Sequence, residues 1–199
     1  MSLEKYKRLT DVQHVLQRSG VYLGSIINTE REAFVVENDK IVLKTVSYNP
    51  AIIKMFDEII SNSADESIRS GNVKNIKVTI NDDDKSITVS DDGGIPIELH
   101  PEYNIHIPEL LFGELRSGSN FDDDNRTTAG MNGMGSVLVN IFSKMFKVET
   151  CDGKKKFTQT YYNNLSEKDE PTIKSSKTNG TSITFLPDYD RLKCELDSG

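Results

Sequence analysis

The sequence predicts an α+β protein, a two-layer α/β sandwich whose mixed, mostly antiparallel sheet carries helices on one face. Three observations predict it. One helix of about 20 residues is bracketed by both of its expected end signals. The strand-like segments come as hairpins, with helices interleaved between them instead of following every strand. A chain of 199 residues with 36% hydrophobic content is long enough for one core of ordinary size. No internal repeat of roughly 20–50 residues is visible, which argues against solenoids and propellers, so residues 1–199 are expected to form a single domain.

The elements follow in order. Residues 11–18 read as a short helix capped by Thr10 or Asp11 and stopped by Gly20. AFVVENDKIVLKTV, residues 33–46, predicts a hairpin turning at Asn38 and Asp39. Asn49 caps the long helix, Pro50 is its first residue, and Gly71 lies just past its far end. Ile53, Phe56 and Ile60 offer its apolar stripe to the sheet. NIKVTIN and SITVSD alternate apolar and polar around NDDDK, a second hairpin with Ile76, Val78 and Ile80 on one side and Ile87 and Val89 completing it. Pro108 is expected to open a short helix. Residues 116–135, RSGSNFDDDNRTTAGMNGMG, hold little that is apolar, and a loop of that length is either functional or disordered. Asp122 to Asp124 read as its solvated tip. SVLVNIFSKMF then predicts an apolar helix, and FKVETC, KKFTQTYY and TSITFLP predict strands.

Composition excludes several function classes. Lys+Arg 24 against Asp+Glu 31 leaves a net charge of −7, the wrong sign for a domain that grips a phosphate backbone unaided. No apolar run reaches the ~20 residues needed to span a bilayer, and MSLEKYKRLT lacks the apolar stretch of a secretory signal, so the expected location is cytoplasmic or nuclear. Cys151 and Cys194 are too few for a disulfide framework. His14, His100 and His106 are scattered. Neither a P-loop nor a strand-borne G-x-G-x-x-G is present.

Three constellations remain as candidates for chemistry. Gly130, Gly133 and Gly135 form a glycine-rich turn before a helix, which either brings backbone N–H groups to a polyphosphate or simply makes a turn. Glu58, Asn62 and Asp65 share one face of the long helix, where a carboxylate and a carboxamide could orient a water and hold a divalent cation, or merely be solvated. Asp91 and Asp92 precede Gly93 and Gly94, so a carboxylate could meet an exocyclic amine while bare backbone makes room for a flat ring, although Asp-Gly turns are common without any ligand.

The order and content of these pieces resemble the ATPase domain of type IIA DNA topoisomerases, members of the GHKL group, closest to eukaryotic-type and viral or phage enzymes. RSGVYLGS resembles the family's opening segment, FDEIISNSAD its N-box, SDDGGIP, GMNGMG and NGTSITF its three glycine boxes, and IPELLFGELRSGSNFDDD the stretch before the second of them. The resemblance implies a Bergerat fold binding ATP and Mg²⁺. It assigns Glu58 to the hydrolytic water and Asn62 to the metal, with Asp65 beside them. It puts Asp91 at the adenine amine, with Gly93, Gly94, Ile95 and Thr181 around the base. Ser119 and Asn120 match ribose and phosphate contacts, and Gly130, Asn132, Gly133, Met134 and Gly135 match the phosphate cradle under a closing lid. DDGGIP is one residue shorter than the usual first box, and Asp91 is favoured over Asp92 for the adenine. Ser136 and Val137 stand where many eukaryotic relatives have a lysine. The family's transducer and DNA-cleaving domains have no counterpart before Gly199, so the chain is expected to be an N-terminal fragment or one subunit of a split enzyme. Its expected partners are a second copy on ATP binding, the remaining topoisomerase domains, and DNA through the full enzyme. A nucleotide-binding dimerisation module with little ATPase activity in isolation is the second reading.

Overall fold

The computed structural model of the chain describes residues 9–115 and 134–196. Their elements run α1 (Asp11–Gln17), α2 (Ser19–Tyr22), β1 (Thr29–Glu37), β2 (Lys40–Tyr48), α3 (Pro50–Ser70), β3 (Ile76–Ile80), β4 (Ile87–Asp91), α4 (Ile107–Gly113), α5 (Gly135–Ile141), β5 (Ser143–Asp152), β6 (Lys155–Tyr162), β7 (Glu167–Lys168), β8 (Thr172–Ser175), β9 (Asn179–Pro187) and α6 (Tyr189–Leu192).

One seven-stranded sheet runs β3-β4-β9-β5-β6-β7, with β8 also paired to β6, while β1 and β2 form a separate two-stranded ribbon. Each described pairing is antiparallel, which corrects the expectation of a mixed sheet. The inward side chains alternate along the central strands: Ile87 and Val89 on β4, Ile183 and Phe185 on β9, Phe146 and Val148 on β5, Phe157 and Tyr161 on β6. They pack under α3, α4 and α5 in one core with Met55, Ile59, Phe112, Val137 and Ile141. Each such buried side chain contributes roughly 1.5–3 kcal/mol before chain entropy is charged against it. The helices therefore lie on one face, as expected of a two-layer sandwich.

α3 begins and ends where its signals put it. Asn49 Oδ1 accepts from the Ala51 and Ile52 N–H groups, Pro50 is the first helical residue, and Gly71 closes the helix at φ 67. Its buried stripe is Ala51, Met55, Ile59 and Ser63. Ile53 is 44% exposed, a correction to the predicted stripe: Ile52, Phe56 and Ile60 flank the buried row, and 100° per residue turns Ile53 away from it. Gly20 does not stop the first helix. The Thr10 capping box opens α1, Arg18 ends it, and Gly20 lies inside the next short turn, α2. The hairpin turn at Asn38 and Asp39 is as predicted, both residues having positive φ of 50 and 59.

The predicted helix 136–146 is also shortened. It ends at Ile141, and Ser143 already belongs to β5, where a bulge lies between Ser143 and Met145. Tertiary pairing with β9 outweighs the apolar run's helical reading, and Ser143 Oγ ties back to Val139 O at 2.6 Å. Buried Asn140 donates to Phe112 O at 2.9 Å, satisfying a carbonyl at the end of α4 that its own helix cannot reach. β7 and β8, short and polar, went unpredicted.

Candidate functional site

The site lies where α3 crosses the end of β4 and the start of α5. Glu58 on α3 faces Gly135, the first residue of α5: a Cβ built at Gly135 would overlap the Glu58 carboxylate. Bare backbone at that position is what allows the approach. Lys54, one turn earlier on α3, forms an ion pair with the same carboxylate. One turn later, Asn62 Nδ2 donates to Ser136 Oγ at 2.7 Å, which leaves the amide oxygen for a cation. Asp65, half-buried, follows on the same helix. Met134, half-buried against the core, is the N-cap of α5. Residues 74 positions apart are thus joined directly.

Asp91 ends β4. Buried Ser63 donates its hydroxyl to Asp91 Oδ2 at 2.6 Å, and the Gly93 N–H donates to Oδ1 at 3.0 Å. Each carboxylate oxygen keeps capacity for a further donor. Burial raises the Asp91 carboxyl above its ordinary range, against the lowering pull of those two donors. Asp92 does the opposite. It points outward, accepts from Asn75 Nδ2 at 2.8 Å and from the Lys74 and Asn75 N–H groups at 2.7 and 3.2 Å, and is held down to about 2 by them. Asp92 is a cap for the turn before β3, and Asp91 is the inward carboxylate.

The glycine turn after Asp91 is braced by a directed chain of hydrogen bonds. The Ile95 N–H donates to Thr150 Oγ1 at 3.0 Å, the Thr150 and Thr181 hydroxyls meet at 2.9 Å, and Thr181 Oγ1 donates to Gly93 O at 3.0 Å. Because Thr181 spends its proton on Gly93, Thr150 must be the donor between the two. A Cβ at Gly94 would run into the backbone carbonyl of Cys151, so Gly94 is demanded by close backbone approach, and one at Gly93 would come within 2.5 Å of Val73 Cγ2, the side chain of a buried residue.

The structure brings together Glu58, Asn62, Met134 and Gly135 at one end of the site and Asp91, Gly93, Gly94, Ile95 and Thr181 at the other. Ser119, Asn120, Gly130, Asn132 and Gly133 lie outside the described residues. Sequence reasoning missed Lys54, Ser63 and Thr150, and named Ser136 only as standing where many relatives have a lysine, not as the partner of Asn62. Ser63 was detectable as the fourth member of the buried i, i+4 row, and Thr150 as the inward-alternating polar position of β5; neither signal names a ligand. Among the described residues no three His, Cys, Asp or Glu side chains group as a metal cluster. A hard cation here would take the Asn62 amide oxygen and fill its shell from phosphate oxygens and water, a donor set that suits Mg²⁺.

Comparison with known proteins identifies the family. Residues 49–191 match the family described as histidine kinase-, DNA gyrase B-, and HSP90-like ATPases. The chain is 42% identical over 196 residues to DNA topoisomerase 2 of Pisum sativum and 45% identical over 194 residues to the probable DNA topoisomerase 2 of Dictyostelium discoideum, covering 96% and 94% of this chain. It spans only 13% of the length of either. The solved ATPase region of Saccharomyces cerevisiae topoisomerase II superposes with a TM-score of 0.93 at 38% identity, over 99% of this chain and 55% of that one. The ATPase and transducer domains of DNA topoisomerase II from Balamuthia mandrillaris give 0.90 at 40% identity, over 96% and 52%.

Proposed function

The chain belongs to the histidine kinase-, DNA gyrase B- and HSP90-like ATPase family, within it as an ATPase domain of the type II DNA topoisomerase kind, and we propose that it is the nucleotide-driven clamp module of such an enzyme. In this reading ATP binding brings two copies together and closes a gate for strand passage, and DNA is engaged through the rest of the enzyme. The observation that carries it is the polarity of the site along α3. An inward, doubly anchored carboxylate, Asp91, stands beside a bare glycine turn at one end, and Glu58 and Asn62 meet the start of α5 at the other.

Adenine fits the first end. Asp91 accepts the exocyclic amine beside the tight turn of Gly93, Gly94 and Ile95, which Thr181 with Thr150 holds still. At the second end Glu58 orients the attacking water and takes its proton, and Asn62 presents its amide oxygen to the cation. Mg²⁺, when bound, neutralises charge on the phosphate oxygens. Met134 and Gly135 offer backbone donors to the phosphates; the family resemblance adds Gly130, Asn132 and Gly133 to that cradle and assigns Ser119 and Asn120 to ribose and phosphate contacts. Catalysis is then mainly positioning and charge stabilisation. The test is calorimetric titration of the purified chain with a non-hydrolysable ATP analogue and Mg²⁺. Binding that weakens in both Asn62→Ala and Asp91→Ala is the expected result. Wild-type affinity in either variant would overturn that residue's role.

A further inference from the structure

Ser63 is the polar member of the buried row on α3, after Ala51, Met55 and Ile59. A buried hydroxyl costs free energy unless it is hydrogen-bonded, and a serine in mid-helix often turns back to the carbonyl one turn earlier. This one reaches out of its helix instead. It gives its single proton to Asp91 Oδ2 at 2.6 Å, a length within the range of a hydroxyl donating to a charged carboxylate. The Gly93 N–H faces the other oxygen, Oδ1, at 3.0 Å. Each Asp91 oxygen therefore already meets a donor, and a proton on the carboxyl would have to displace one of them. The Gly93 N–H is fixed by the turn, so the Ser63 hydroxyl is the group that would give way. Burial and the neighbouring Asp92 charge work in the other direction, pressing Asp91 toward its neutral form.

We propose that Ser63 is the positioning residue that sets the base selectivity of this site: its hydroxyl holds the Asp91 carboxylate in place and acceptor-only, so a purine with an amine at C6 is taken and one with a carbonyl there is refused. The inference rests on the reading of Asp91 as the adenine acceptor, and goes beyond it by assigning the selectivity to a second side chain, on α3. An amine at C6 brings a proton to a lone pair that Ser63 and Gly93 leave open. A carbonyl brings a lone pair against the carboxylate, which is repulsive unless Asp91 takes up a proton and donates it. With Ser63 in place that proton must displace the hydroxyl. Without Ser63, Oδ2 is open to it, and the carboxyl is also freer to turn. Removing the hydroxyl thus weakens the amine-bearing base and eases the carbonyl-bearing one.

The test is calorimetric titration of the 199-residue chain, with Mg²⁺ at neutral pH, by two non-hydrolysable triphosphate analogues, one of adenosine and one of inosine, which carries a carbonyl at C6. The wild type should prefer the adenosine analogue by about tenfold or more. In Ser63→Ala that preference should shrink by about fivefold or more, and Ser63→Thr, which keeps the hydroxyl, should restore it to within about twofold. A preference that is unchanged in Ser63→Ala, whether both affinities fall together or neither falls, overturns the proposal, because a hydroxyl with only a packing role moves both analogues alike. A preference lost as fully in Ser63→Thr as in Ser63→Ala overturns it too. The adenine reading fails separately: a wild type that binds neither analogue, or binds both equally, refutes Asp91 as the base acceptor before Ser63 is changed, and the assignment of Ser63 falls with it.

Discussion

Replacing Gly135 with alanine separates catalytic positioning from folding at one atom. The new Cβ would overlap the Glu58 carboxylate and stand 2.8 Å from its Cδ. To regain van der Waals separation the nearer carboxylate oxygen has to withdraw by about 1.5 Å. It can do so cheaply, because it is the end of a flexible side chain and Lys54 can follow it. Gly→Ala in a helix also gains up to about 1 kcal/mol, so the melting temperature should hold or rise slightly. Turnover should not hold, since a displacement of about 1 Å in a positioned group costs on the order of 100-fold. Phosphate release under single-turnover conditions measures that loss, and calorimetry with the ATP analogue checks that affinity changes less than about threefold. Glu58→Gln by itself should slow release by roughly 10²–10⁴-fold. The double variant Glu58→Gln, Gly135→Ala should be no slower than Glu58→Gln, because the two changes damage one step. Wild-type turnover in Gly135→Ala, or losses that multiply in the double variant, would refute the pairing of Gly135 with a catalytic Glu58.

The same substitution at Gly94 should behave in the opposite way. Its Cβ meets the Cys151 carbonyl and lies 3.2 Å from the Asp152 Cα; backbone cannot step aside, so urea denaturation should show a loss of about 1–3 kcal/mol. Asn49→Ala should lose about 2–3 kcal/mol in the same assay, since Asn49 caps α3 and its Nδ2 reaches Ile26 O, Asn28 Oδ1 and Leu192 O at 3.0–3.1 Å. Asp91→Asn bears on pH. Burial raises the native Asp91 carboxyl above 3.8, so the native chain holds that proton more tightly than the unfolded one, and stability falls as pH rises from 3.8 through the raised native value. The asparagine removes that fall, so thermal melts should find the variant at least as stable as wild type at pH 7, while affinity for the ATP analogue drops at least tenfold.

The resemblance, carried by residues 18–25, 56–65, 90–96, 130–135 and 179–185, was enough to anticipate a two-layer ATPase fold. It could not say how those pieces are held. Asp91 and Asp92 are adjacent and chemically identical in sequence. They part company only because the end of β4 turns one under Ser63 and the other out to the Lys74 and Asn75 amides. Ser63 and Thr150 sit at inward positions that look like ordinary core until a strand end and a glycine turn are laid against them. Ile53 and the tail of the 136–146 run misled for the same reason: exposure and helix ends there are decided by neighbours remote in sequence.

What the sequence determined by itself is local. The start, first residue and end of α3 follow from Asn49, Pro50 and Gly71, and the ribbon turn follows from Asn38 and Asp39, because caps and left-handed turns are settled by backbone conformation within four or five residues. Only the tertiary structure decided that the Glu58 carboxylate rests on Gly135 and Asn62 on Ser136. It also decided that β5 takes over at Ser143, and that Phe34, Val36, Ile41 and Leu43 of the ribbon face outward. Each of those outcomes depends on contacts between segments tens of residues apart, where burial and hydrogen bonding across the fold outweigh local preference.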